Sequence, residues 1–192
     1  AILDAHLAGD PTSRVACETL VTTNLVVVAG EITSKQTVDY ETVVRGVLSD
    51  IGYSGTEGFD AATCEIIVRL DAQSPDISMG VTVGDGKHAE QGAGDQGMMF
   101  GYACDESEGF AGLEGTFMPL PVLLAQILTR RLKQVREGIE DVYPGGHTQS
   151  THLPWVYPDG KSQVTVSYDE NGSPESILTV VIATQHADMV ES

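Results

Sequence analysis

The fold is decided by the stretch RVACETLVTTNLVVVAGEIT, residues 14–33 of the 192-residue chain. Two runs rich in β-branched residues flank a polar turn at residues 22–24; the runs are residues 14–21 and 25–32. Such runs around a short polar turn predict a β-hairpin. In two of the registers that the turn allows, Glu18 and Glu31 lie on one face, opposite or diagonal to each other, about 5 to 8 Å apart at Cβ. The pattern therefore predicts that two carboxylates converge near the open end of the hairpin.

The segments on either side of the hairpin predict helices and one further strand. Residues 39–51 carry apolar side chains at helical spacing, with a candidate N-cap at Asp39 and Gly52 just beyond the end. This pattern predicts an amphipathic helix that packs on a sheet. Residues 64–70 predict a strand, and residues 1–7 predict the interior of a helix that stops at Gly9. Because the chain begins inside a helix, we expect further sequence upstream.

The second half of the chain repeats the combination of hairpin and helix. Residues 119–137 predict a long helix with a basic end that stops at Gly138. Residues 161–168 and 176–183 predict two strands around a turn at 169–174. Hairpins that alternate with helices predict an α+β fold, in which mixed sheets pack against helices.

Composition limits the classes of partner. The chain has 28 Asp plus Glu against 10 Lys plus Arg, a formal net charge of -18. Such a surface repels nucleic acid and anionic membranes, so we expect neither as a partner. The sequence contains no apolar run of membrane-spanning length, and its three cysteines are an odd number without paired spacing. We therefore expect a cytoplasmic protein, in which divalent cations can still bridge carboxylates to an anionic substrate.

Residues 90–97, EQGAGDQG, place three glycines among acidic and amide side chains. Glycine lets the backbone approach a ligand closely, so the stretch is typical of a binding loop. A surface turn with positive φ angles is the alternative. The stretch lacks the Gly-Lys-Ser/Thr ending of a phosphate-binding Walker loop.

The string QGAGDQG (91–97), which continues into MMFGYA (98–103), is similar to the signature of S-adenosylmethionine synthetases (methionine adenosyltransferases). Other stretches agree with that family in the same order: VACET (15–19), GEIT (30–33), IGY (51–53), GFD (58–60), QSPDI (73–77), LPW (153–155), PDGKSQVT (158–165) and TQH (184–186). The resemblance implies an N-terminal domain at residues 1–86, incomplete at its start. It also implies a central domain at 87–192, incomplete at its end, and no C-terminal domain.

The resemblance implies roles for particular residues. It implies that Glu18 is a potassium ligand and that Glu31, Gln73 and Asp95 bind methionine. The residues that bind ATP are Asp159, Gly160 and Lys161, and the mobile loop over the active site is Gln73, Ser74, Pro75, Asp76 and Ile77. Without the resemblance, the glutamates are solvated strand residues, the Pro-Asp-Gly triplet at 158–160 is an ordinary turn and the loop is a linker.

The activity that the resemblance implies is the formation of S-adenosylmethionine from methionine and ATP. The methionine sulfur attacks ribose C5′, and the released triphosphate is hydrolysed to pyrophosphate and phosphate. The family uses Mg²⁺ and K⁺ and forms homodimers or homotetramers with the active site between subunits. The family's opening Gly-His-Pro-Asp-Lys segment is absent, so we expect the chain alone to be inactive. The alternatives are a non-catalytic paralogue or regulatory subunit, and a metal-dependent phosphohydrolase.

Overall fold

The computed structural model describes residues 1–74, 81, 83–84, 90, 92, 97–139, 141–142, 148–149 and 152–188. The chain divides into two compact units, Ala1–Met99 and Phe100–Ser192. Each unit contains a β-hairpin and a helix, which confirms the predicted α+β class. The predicted domain bounds, 1–86 and 87–192, stay predictions. In the described part of the chain, no helix is both long and apolar enough to cross a membrane.

The first unit is built on a three-stranded mixed sheet. Its elements are α1 (Ile2–Gly9), β1 (Arg14–Thr22), β2 (Leu25–Thr33), α2 (Tyr40–Ile51) and β3 (Glu65–Asp71). Strand β2 lies in the middle, antiparallel to β1 and parallel to β3. The predicted hairpin is confirmed, with a turn of two residues, Thr23 and Asn24. Asn24 has a φ of 54°, a left-handed conformation that asparagine adopts more readily than most residues.

Helix α2 covers one face of this sheet. Val26 and Val28 of β2 are each 1% exposed and pack with Val44 and Leu48 of the helix. The helix has the predicted ends, because the Asp39 carboxylate accepts a hydrogen bond from the backbone N–H of Thr42 and Gly52 is left-handed. Alternate strand residues point to opposite faces. We call the face turned away from α2 the outer face; it carries Glu18, Leu20, Val27, Glu31 and the side chains level with them on β3.

Asp10, at the end of α1, ties the helix to the segment that follows β2. Its Oδ2 accepts a hydrogen bond from the backbone N–H of Lys35 at 2.9 Å. Its Oδ1 accepts from the backbone N–H and the hydroxyl of Thr12 at 3.0 and 2.6 Å. These bonds, with that of the Thr12 hydroxyl the largest cause, lower the pKa of Asp10 to about 2. The folded first unit therefore favours the ionised form of the Asp10 carboxylate.

The second unit contains α3 (Leu120–Glu137), β4 (Asp141–Val142), β5 (Thr148–Gln149), β6 (Val156–Tyr168) and β7 (Pro174–His186). Strands β4 and β5 form one antiparallel pair, and β6 and β7 form another, much longer one. Helix α3 packs on β6, where the Ser162 hydroxyl donates to the carbonyl of Ala125 at 2.7 Å. The predicted helix is confirmed and ends at Gly138, which has a φ of 69°. The predicted turn between the strands is also confirmed, with Gly172 at a φ of 80°.

Both predicted strands of this second hairpin were too short. The interpretation of residues 158–160 as an ordinary turn is wrong, because these residues lie inside β6. A register shift between Val156 and Gly160 interrupts the pairing at this point. Such an irregularity lets a strand contain Pro158, which has no N–H to donate to the ladder. A turn signal in the sequence therefore marks a strand irregularity in the fold.

We predict that Asp10 contributes stability in a defined pH range. Because folding lowers its pKa from 3.8 to about 2, the contribution is fully present above about pH 4 and is lost as the pH falls towards 2. Chemical unfolding of the chain and of its Asp10→Asn variant, followed by circular dichroism from pH 7 to pH 2, measures this difference. The two stabilities should converge at the acid end. A gap that stays constant over the whole range would contradict the prediction.

Candidate functional site

The pairing of β1 with β2 places two carboxylates on the outer face. Glu18 pairs with Ala29, and Ala16 pairs with Glu31. Glu18 and Glu31 are therefore diagonal neighbours on one face, as predicted in one of the two registers. Glu18 is exposed and Glu31 is half-buried. The prediction that the two glutamates share a face of the hairpin is confirmed.

The parallel strand β3 adds polar groups at the same end of the sheet. Asp71, the last residue of β3, pairs with Glu31, and paired residues in a parallel ladder share a face. Gln73 follows two residues later and is half-buried. Its side-chain oxygen accepts a hydrogen bond of 2.9 Å from Nε of Arg14, the first residue of β1. Three strands thus bring Arg14, Glu31, Asp71 and Gln73 to one end of the sheet.

Gly30 fixes the path of β2 immediately before Glu31. It lies opposite Cys17 and has a φ of 148°, a region that other residues rarely adopt. A Cβ at this position would lie 2.0 Å from the carbonyl oxygen of Ala16 on β1. Only glycine therefore permits this close approach of the two strands. We infer that the orientation of Glu31 depends on it.

The Cys17 thiol lies on the face of the sheet that packs against α2 and is less acidic than an ordinary thiol. Burial raises the pKa of the Cys17 thiol, and the charge of the adjacent Glu18 raises it further. Reactive cysteines need the opposite shift, towards the thiolate. Cys17, Cys64 and Cys104 are all unpaired. The chemistry of the site therefore rests on carboxylate, amide and guanidinium groups.

Part of the predicted site lies outside the described residues. Gln73 and Ser74 are described, and both are half-buried. Asp95 and the remaining residues of the predicted mobile loop, Pro75, Asp76 and Ile77, lie outside the described residues. Of the glycine-rich stretch 90–97, Glu90, Gly92 and Gly97 are described, and all three are exposed. The roles of these residues stay predictions.

The predicted ATP segment lies in β6 of the second unit. Asp159 and Lys161 are exposed, whereas Gly160 between them is half-buried. A Cβ on Gly160 would lie 2.6 Å from a methyl carbon of Leu132 on α3. Glycine thus gives the helix room to pack on the strand. Because neighbouring strand residues point to opposite faces, Lys161 points away from α3.

Sequence reasoning missed Glu106, which organises the start of α3. Its carboxylate accepts hydrogen bonds from the backbone N–H of Leu120 at 3.1 Å and from the hydroxyl of Tyr168 at 2.9 Å. The bond from the Leu120 N–H, the larger cause, lowers the pKa of Glu106. Pro119 in the sequence could have predicted such a residue. A proline N-cap has no side-chain acceptor for the first N–H groups of its helix, so another residue must supply one.

Carboxylates on the outer face can provide oxygen ligands to a hard cation. In residues 1–74 and the other described parts, no group of three or more His, Cys, Asp or Glu side chains is placed to hold a metal ion. Glu18 contributes an exposed carboxylate to the outer face.

Comparison with known proteins gives a consistent result for both units. Residues 1–75 match the N-terminal domain of S-adenosylmethionine synthetase, and residues 90–192 match its central domain. The chain is 48% identical to the S-adenosylmethionine synthase of Syntrophobacter fumaroxidans, over 98% of this chain and 44% of the relative. It is 47% identical to that of Sorangium cellulosum, over 100% of this chain and 41% of the relative. The chain thus spans less than half the length of these curated relatives.

We predict that Gly30→Ala destabilises the chain by about 2 kcal/mol or more, because the new Cβ requires a strained φ and collides with the backbone of β1. The matched control is Gly46→Ala in α2, where a Cβ would meet no atom within 4 Å. That change removes a flexible residue from a helix interior and should stabilise the chain by about 0.5 to 1 kcal/mol. Urea unfolding of both variants tests the pair. Equal effects of the two substitutions would show that Gly30 is not structurally required.

Proposed function

Since this chain belongs to the S-adenosylmethionine synthetase family, we propose that it forms part of an enzyme that makes S-adenosylmethionine from methionine and ATP. In the proposed reaction the methionine sulfur attacks ribose C5′ of ATP and the bond from C5′ to the triphosphate breaks. Water then cleaves the triphosphate to pyrophosphate and phosphate. The observation that carries the proposal is the outer-face cluster at the end of the sheet, where Glu31 is level with Asp71 and Gln73 accepts a hydrogen bond from Arg14.

We assign methionine to this cluster. Glu31 and Asp71 are level with each other, and Gln73 lies just beyond them. Methionine carries an ammonium group, and its sulfur becomes a positive sulfonium in the product. Carboxylates fixed beside it favour both charges, more strongly where water is partly excluded. Asp95 is proposed as a further methionine-binding residue on the resemblance alone.

We assign ATP to Asp159, Gly160 and Lys161. Lys161 is exposed and turned away from α3, so its ammonium group can act as a point charge for a phosphate. Since Gly160 packs against Leu132, it would contribute to ATP binding through its backbone. Residues 73–77 are proposed as a loop that closes over the substrates and excludes water.

The resemblance implies a bound K⁺ and Mg²⁺. Glu18 fits the proposed potassium role, because its exposed carboxylate is an oxygen ligand on the same face as Glu31. A bound Mg²⁺ would neutralise charge on the departing triphosphate. We assign no Mg²⁺ ligand among the described residues.

We further propose a cytoplasmic homodimer or homotetramer in which active sites lie between subunits. The apolar content of the outer face supports this arrangement, because Leu20 is 58% exposed there and Val27 is half-buried. Exposed apolar side chains on a sheet face are typical of surfaces that associate.

Glu31→Gln in a full-length synthetase that carries this chain should reduce kcat/KM for methionine by about tenfold or more, because it removes a negative charge beside the substrate cation. The matched control is Glu65→Gln. Glu65 lies on the same face of β3, about 20 Å from Glu31 at about 3.3 Å per residue. Steady-state kinetics with both substrates measures the effect. Equal losses in the two variants would reject a specific role for Glu31.

We also predict that the 192-residue chain by itself forms no S-adenosylmethionine. The relatives are more than twice as long, and the described residues provide few cationic groups to stabilise the leaving triphosphate. Incubation of the purified chain with methionine, ATP, Mg²⁺ and K⁺, with product detection by mass spectrometry, provides the test. Product above the level of a heat-denatured control would contradict the prediction.

A further inference from the structure

The hydrogen bond between Arg14 and Gln73 joins the two edge strands of the first unit at the candidate site. It joins residues separated by 59 positions in the sequence, with Nε of Arg14 at 2.9 Å from Oε1 of Gln73. Both residues are half-buried. A charge-assisted hydrogen bond in partly buried surroundings is stronger than one in water. The contact therefore has the strength to hold a side chain in one orientation.

The strand order explains why this bond restrains the position of Gln73. Arg14 begins β1, whereas Gln73 follows the end of β3, and β2 lies between these two strands. Arg14 pairs with Thr33, the last residue of β2, so its guanidinium group reaches across this end of β2 to the far side of the sheet, about 10 Å at two strand spacings. Gln73 lies two residues beyond Asp71, the last residue of β3, so the bond from Arg14 restrains a side chain outside the regular strand. The bond fastens the start of the predicted mobile loop to the opposite edge strand.

The chemistry of the pair fixes the direction of the Gln73 amide. A guanidinium group has only N–H donors, so the amide must turn its oxygen to Arg14. The amide nitrogen, with its two donors, is then directed away from Arg14. A free glutamine side chain samples both orientations and several rotamers, which costs entropy when a ligand selects one of them. A glutamine side chain that is already held by Arg14 loses less entropy when a ligand selects its orientation.

We infer that Arg14 is a positioning residue for methionine, which acts by holding the Gln73 amide. The inference rests on the proposed role of Gln73 in methionine binding and adds a residue to which no role was assigned from the sequence. It predicts that Arg14 affects the affinity for methionine and has little influence on ATP or on the chemical step. It also predicts that the effect of Arg14 disappears when Gln73 is absent.

A double-mutant cycle in a full-length synthetase that carries this chain tests the inference. The variants are Arg14→Leu, Gln73→Ala and the two combined, with Arg14→Lys as a milder change that keeps the charge. Arg130→Leu is the control for loss of a guanidinium group away from this cluster, because Arg130 is exposed on α3 in the second unit. The measured quantities are KM for methionine, KM for ATP, kcat and the melting temperature of each variant.

Arg14→Leu should raise KM for methionine about tenfold, the factor expected for loss of one charge-assisted hydrogen bond. Arg14→Lys should raise it about threefold. For both, KM for ATP and kcat should stay within about twofold, and Arg130→Leu should leave all three constants unchanged. In the Gln73→Ala background, removal of Arg14 should have no further effect on KM for methionine.

Three results would overturn the inference. If Arg14→Leu raises KM for methionine by the same factor with and without Gln73, Arg14 acts independently. If KM for methionine rises in Gln73→Ala but not in the Arg14 variants, only the role of Arg14 fails. If Gln73→Ala itself leaves KM for methionine unchanged, the assignment of methionine to Gln73 fails, and the role of Arg14 fails with it. Should Arg14→Leu not fold, the comparison of Arg14→Lys in the two backgrounds decides between the same outcomes.

Discussion

The register between β1 and β2 is the constraint on which the first unit depends. A turn of only two residues aligns Thr22 with Leu25, and every later pair follows from that alignment. A slip by one residue would turn Val26 and Val28 away from α2 and move Glu31 to the buried face. Burial of the two valines therefore also determines where the carboxylate lies. The same pairing that forms the core of the unit builds its candidate site.

Gly30 links the strand register to the position of Glu31 in the candidate site. The two strands approach each other so closely beside it that no other residue fits without moving the backbone. Its neighbour Glu31 then lies level with Asp71 and near Gln73. The position of the candidate site is thus set by the regular strand pairing and by the backbone conformation of Gly30. Rigid support of this kind reduces the entropy lost when a ligand binds.

The sequence predicted the features that depend on neighbouring residues. The hairpin, the shared face of Glu18 and Glu31, the Asp39 cap and the Gly52 terminus follow from patterns within about fifteen residues, and the structure confirms them. Recognition of the family rested on short motifs that keep their order along the chain, and both matched domains confirm it. These signals are local or collinear, so one sequence is enough to detect them.

The features that were missed depend on groups far apart in the sequence. The parallel pairing of β2 with β3 has no local signal, and the bond from Arg14 to Gln73 exists only because of that pairing. The alternative interpretation of residues 158–160 as an ordinary turn is wrong, because these residues lie inside β6, where the pairing with β7 shifts register between Val156 and Gly160. Arg14 lies in the hairpin stretch, yet only the fold reveals its partner.

A crystal structure of a full-length synthetase that carries this chain, determined with bound methionine, would show whether methionine binds on the outer face. We expect methionine there, with its polar atoms within hydrogen-bond distance of Gln73 and beside Glu31. We also expect the oxygen of the Gln73 amide to accept a hydrogen bond from Arg14, as it does here. Methionine bound elsewhere, or at this site with Gln73 and Glu31 turned away from it, would contradict the assignment of methionine to this face.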